Sequence, residues 1–157
     1  MRRLLVLSLL AGLCAAASAV AAPAATTACK PGVHTVGKAT YRVFCGPASA
    51  TVKMGGGTHS FRNGSCLKVG VTHVFAMSIG TLTISKGKPR YSYLGITAPA
   101  ANHDGIYKHV VIAWSYGGKR YALYNVTLRL TGNRTRGTFS GRVVGRTGKA
   151  TGSFRCR

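Results

Sequence analysis

The chain has 157 residues, enough for one domain with a sizeable core and too few for two. It carries 22 Lys and Arg against one acidic residue, Asp104, for a formal charge of +21. A single acidic side chain excludes paired-carboxylate glycosidase and aspartic-protease chemistry, and Mg²⁺ or Ca²⁺ sites built on several carboxylates.

Residues 1–21 read as a secretory signal peptide. Arg2 and Arg3 form its charged region, Leu4 to Leu13 its apolar region, and Ala19-Val20-Ala21 fits an A-x-A cleavage site. Ala17-Ser18-Ala19 is an alternative site. The apolar run is too short to span a bilayer, and no later stretch is long enough, so no membrane span is expected. The reading is a secreted protein of the extracellular space or cell envelope. Losing Arg2 and Arg3 with the leader takes the balance from +21 to +19.

Export places the chain in an oxidising compartment. Cys29, Cys45, Cys66 and Cys156 remain after the leader, and four cysteines allow three pairings. The favoured pairing is Cys29–Cys45, a local loop, with Cys66–Cys156, which ties an early strand to the last one. The second would close a loop of roughly 90 residues, worth up to about 4–5 kcal/mol in the chain-entropy model.

Residues 22–39 read as an N-terminal arm and residues 40–157 as a single all-β domain. Candidate strands are 40–45, 50–54, 58–62, 66–70, 73–79, 81–85 and 90–96, all short and rich in Val, Thr, Tyr and Phe. No stretch keeps a helical period with caps. A hairpin follows. Residues 108–116 and 119–130 flank Gly117-Gly118, a two-residue loop suited to a primed turn. Strict alternation would put Ala122, Tyr124, Val126, Leu128 and Leu130 on one face, and Tyr121, Leu123, Asn125, Thr127 and Arg129 on the other. The final hairpin turns at residues 145–148. Phe139, Val143, Phe154 and Cys156 point inward there, and the basic residues point out. About eight to ten short strands with frequent turns predict a disulfide-stapled antiparallel β-sandwich, with a barrel as the alternative.

Residues 61–80 read FRNGSCLKVGVTHVFAMSIG, a cysteine followed by an Ile-Gly pair, and the chain closes with Phe154 near Cys156 in the last strand. This resembles the mycobacterial 19 kDa lipoprotein antigen family of small secreted β-domains. The resemblance covers Cys66 to Cys156 and implies an envelope-exposed β-sandwich with those two cysteines paired. The lipidated cysteine of that family has no counterpart here.

Catalytic candidates are few. Asp104, in AANHDGIY, could orient His103 or His109 toward a serine; an Asp-Gly turn with Asx hydrogen bonds is the preferred reading. No G-x-S-x-G elbow occurs. His34, His59, His73, His103 and His109 form no H-x-H or H-x-x-x-H pair, and the cysteines are not in C-x-x-C spacing, so no metal or other cofactor is expected. Asn63, Asn125 and Asn133 each begin a glycosylation sequon.

What remains is basic residues among aromatics: Arg90-Tyr91-Ser92-Tyr93, Lys119-Arg120-Tyr121, and Arg142, Arg146, Lys149, Arg155 and Arg157. Lys119, Arg120 and the last five are the candidate polyanion-binding residues. The sequence therefore predicts a non-catalytic, monomeric, strongly basic domain. Its partners would be anionic polymers of the cell wall or extracellular space, ahead of nucleic acid. The competing readings are a structural or surface-antigen domain with no charge-dependent partner, and a His/Ser hydrolase.

Overall fold

The computed structural model describes residues 29–69 and 74–157. The leader and His73 lie outside them. The described residues form eleven strands and no helix: β1 (Gly32–Val36), β2 (Ala39–Val43), β3 (Ala48–Met54), β4 (Gly57–Val69), β5 (Val74–Ser85), β6 (Lys88–Ala98), β7 (Gly105–Tyr107), β8 (Val111–Tyr116), β9 (Lys119–Thr131), β10 (Arg136–Val143) and β11 (Lys149–Arg155). The expected arm thus carries a strand, and β1 and β2 make a separate hairpin. Over the described residues, the candidate strands 58–62 and 66–70 merge into the single strand β4, and 73–79 and 81–85 into β5.

Each strand from β3 to β6, and from β8 to β11, pairs antiparallel with the next, β6 pairs with β8, and β11 returns to β3. The result is an eight-stranded antiparallel barrel, the second of the two architectures that the strand pattern allows. Closure removes every free edge from the ring. Strand β7 adds to β9 beyond the end of β8. The turns β3–β4, β5–β6, β8–β9 and β10–β11 gather at one end, here called the turn end. At the β8–β9 turn, Gly117 and Gly118 both have positive φ (58° and 76°), as a primed hairpin requires.

The interior is filled. Trp114, Phe61, Phe75, Met77, Ile79, Leu94, Ile96, Ile112, Leu128 and Leu130 are fully buried, and no polar or charged side chain is buried among the described residues. Phe75 stacks on Phe154 at 5.4 Å, joining β5 to β11 through the core. The last hairpin interlocks phenylalanine with glycine. Gly137 pairs with Phe154, and Phe139 with Gly152. A Cβ on Gly152 would lie 2.2 Å from the Phe139 ring and 2.4 Å from the Thr51 carbonyl oxygen. Each ring occupies the space above the opposite glycine, so the wall curves without a void.

Alternation along β9 is broken by a bulge. Asn125 has φ of 50°, and the β9–β10 register shifts between Ser140 and Arg142. Leu123 is buried and Tyr124 exposed, so the inward set is Leu123, Val126, Leu128 and Leu130. The extra residue of a bulge flips the faces on its N-terminal side, which corrects the strict alternation expected there. Asn63 and Asn133 also have positive φ, 63° and 55°. All three sequon asparagines therefore stand where the backbone needs a residue tolerant of the left-handed region.

Both disulfides form as favoured, Cys29–Cys45 and Cys66–Cys156. The first closes the base of the β1–β2 hairpin. That hairpin lies against β5 and β6, where the Phe44 amide donates to the Gly80 carbonyl at 3.1 Å and the Tyr91 hydroxyl to the Arg42 carbonyl at 2.6 Å. Tyr41 meets Tyr91, and Phe44 meets Tyr93, beneath it. The second disulfide joins β4 to the residue following β11.

Candidate anion-binding face

The buried side chains of the described residues are apolar. The polar and charged side chains lie on the outer surface, part of which is set by the outward residues of β9, β10, β11, β3 and β4. These strands lie side by side, and their registers line the outward positions up in rows.

One row crosses all five strands as Arg129, Thr138, Ser153, Thr51 and Ser60. The next, nearer the turn end, is Thr127, Ser140, Thr151, Lys53 and Thr58. The row on the other side runs Thr131, Arg136, Arg155 and Ser49, with Arg62 just past the register shift of β4. Alternation explains the composition. Gly137, Phe139, Phe154, Val52 and Phe61 take the inward places, so the intervening hydroxyl and basic residues face out. Thr51 and Ser153 share a hydrogen bond at 3.1 Å, linking β3 to β11.

The lower part of this face is concave. Its groove has a volume of about 1180 Å³ and is lined by Arg62, Arg129, Arg136, Arg155 and Arg157, together with the hydroxyls of Ser49, Thr51, Ser60, Thr131, Thr138 and Ser153. No acidic side chain lines it, and all five arginines are exposed. Guanidinium groups present planar forks of donors that match sulfate and phosphate oxygens.

The one acidic residue builds the groove's rim. Asp104 accepts the amide N–H of Arg134 at 2.7 Å and of Asn133 at 2.9 Å, clamping the β9–β10 turn. Those two N–H bonds hold its carboxyl below the usual carboxylate range. The Arg134 guanidinium donates to the Ala101 carbonyl at 3.0 Å, and the Cys156 amide to the Thr135 carbonyl at 2.8 Å. The turn is therefore fixed from both sides. The Asp104 carboxylate is occupied by backbone donors, and His103 bonds to Asn102 rather than to it. No three His, Cys, Asp or Glu side chains come together among the described residues.

The seven basic residues singled out from the sequence fall into two groups. Arg155 and Arg157 line the groove. Lys119, Arg120, Arg142, Arg146 and Lys149 sit around the β8–β9 and β10–β11 turns at the turn end. There Arg142 pairs with Lys149, and the Arg146 guanidinium lies 5.0 Å over the Tyr121 ring. Both groups are exposed. The sequence reading missed Arg62, Arg129 and Arg136. Hairpin register alone would have placed Arg136 beside Arg155, and Arg129 beside Thr138. Arg62 joins them only because β11 closes on β3, a contact between strands about 100 residues apart in sequence.

No protein-family model, no curated protein and no solved structure matches this chain. Among the described residues no helix is long and apolar enough to cross a membrane.

Proposed function

We propose that this is a secreted, non-catalytic domain of the cell envelope or extracellular space that binds anionic polymers on the outer face of its barrel. The observation that carries this reading is the groove with five arginines and no acidic side chain. The one acidic side chain, Asp104, is already engaged by backbone N–H groups, so no acidic side chain is left to neutralise these cations. Held together on neighbouring strands they repel one another, and a polyanion relieves that repulsion.

The two disulfides fit an oxidising compartment, as the leader-like first 21 residues do. Polymer binding of this kind releases counterions and weakens steeply with salt. The test is elution of the mature protein from immobilised heparin and from a simple sulfonate cation exchanger in the same salt gradient. A shaped site elutes from heparin at clearly higher salt. Equal elution from both columns means diffuse charge and overturns the proposal in favour of a structural surface domain.

A further inference from the structure

We infer that the polymer is an anionic polysaccharide, bearing sulfate or phosphate groups, and that it lies along the strand direction of the β9–β10–β11–β3–β4 face. This inference rests on the polyanion reading above and names the class of partner.

The residues between the two basic groups favour a sugar polymer. The groove arginines mark one end of the face, and Arg142 with Lys149 marks the other. Along β11 the path from Arg155 to Lys149 covers six residues, about 20 Å at the usual rise of a strand. It is paved with hydroxyls. The two middle rows offer Thr138, Ser153, Thr51 and Ser60, then Ser140 and Thr151, with only Arg129 and Lys53 as charged members of the five-strand rows that matter here.

A hydroxyl both donates and accepts, and it matches the hydroxyls and ring oxygens of a sugar. Between the two ends the field has no exposed aromatic ring; the exposed ring on these strands is Tyr124, opposite Arg142 at the turn end. Phe61, Phe139 and Phe154 point into the core, and Tyr41, Phe44, Tyr91 and Tyr93 gather under the β1–β2 hairpin on β5 and β6. Single-stranded nucleic acid draws much of its affinity from successive bases stacked on aromatic side chains, and the hydroxyl rows offer no such series, only Tyr124 at their margin. A polymer of charge alone, such as polyphosphate, would use the arginines and leave the hydroxyl rows idle. A charged glycan uses both.

The experiment measures binding of the mature protein, at one salt concentration, to dextran sulfate, dextran phosphate, inorganic polyphosphate and oligothymidylate matched in total charge. The expected order puts both charged dextrans tightest and oligothymidylate weakest. The triple variant Ser60→Ala, Thr138→Val and Ser153→Ala keeps every charge. It should lose about tenfold in affinity for the charged dextrans and none for polyphosphate. The ratio between the two dextrans separates sulfate from phosphate as the natural substituent. Tighter binding of oligothymidylate or polyphosphate by the wild type, or an equal effect of the triple variant on all ligands, overturns this inference while leaving the polyanion reading intact. Failure of every polymer to bind overturns the polyanion reading itself.

Discussion

Arg136 and Arg155 stand directly opposite each other across the β10–β11 ladder, both exposed and both lining the groove. Like charges in that position are destabilising, by about 0.2–1 kcal/mol for a cross-strand pair. Replacing Arg155 with Thr, a good strand former, removes the repulsion. The variant should melt slightly higher than the wild type at low salt, and the difference should close as added salt screens the pair. Its affinity for a sulfated polymer should fall. Thermal melts at two ionic strengths, with one binding isotherm, check all three outcomes. A variant that melts lower at low salt would mean that the pair is not repulsive.

The phenylalanine–glycine interlock makes a sharper stability prediction. A side chain on Gly152 meets the Phe139 ring and, at 2.4 Å, the backbone oxygen of Thr51. A ring can turn aside, but a strand backbone in a closed barrel cannot easily move. Gly152→Val should therefore destabilise by at least the 1–3 kcal/mol typical of overpacking. Adding Phe139→Ala should recover little, because the Thr51 clash remains. Denaturant titration of the single and double variants measures this.

Asp104 carries the pH dependence. Its carboxyl is held below the usual range by the N–H groups of Arg134 and Asn133, so the folded state favours the ionised form. A depressed value contributes stability that is complete above the ordinary aspartate range and is lost as pH falls through the depressed one. Asp104→Asn keeps one acceptor but turns donors toward donors. It should lower the melting temperature at neutral pH. The gap from wild type should narrow as the pH is taken below the carboxylate range. Removing the lone negative charge from a +21 chain would by itself relieve no repulsion and add to it, in the same direction. Both effects vanish as Asp104 is protonated, so the part of the gap at neutral pH that added salt does not screen is what identifies the clamp.

The two disulfides should differ in consequence. Cys66–Cys156 spans 90 residues and links β4 to the end of β11, with Cys156 buried. Replacing both with Ala should cost about 4–5 kcal/mol by chain entropy, a third or more of the stability of an ordinary domain. Cys29–Cys45 closes only the β1–β2 hairpin, and Cys29 is exposed. Its loss should loosen that hairpin from β5 while the barrel persists. Mild reductant should open it first. Thermal melts of the two double variants, and thiol labelling during reduction, test the contrast.

Much of this fold was legible because alternation is a local signal. The β8–β9 and β10–β11 hairpins, their turns, and the inward Phe139, Phe154 and Cys156 follow from period two and glycine placement alone. Strand β1 was not legible, because GVHTV is short, breaks the period of two with adjacent polar residues His34 and Thr35, and is set between Pro31 and Gly37. The flip at Asn125 escaped because a bulge needs only one residue in the left-handed region, and asparagine marks that only weakly. The candidate face was half visible. Arg155 and Arg157 are evident at the end of β11, but Arg62 reaches them through the β11–β3 closure, which no local pattern encodes.

The proposed binding depends on the position of the charge rather than its amount, and one comparison tests this. The variant Arg62→Gln, Arg136→Gln, Arg155→Gln and the control Lys30→Gln, Lys38→Gln, Lys88→Gln each remove three exposed cations, the first from the groove and the second away from it. Affinity for dextran sulfate is measured over a range of salt. The groove variant should bind far more weakly, with a salt slope lower by about one unit per cation removed from the contact, while the control stays close to wild type. Equal losses in the two variants would contradict the account and make this a protein of diffuse charge.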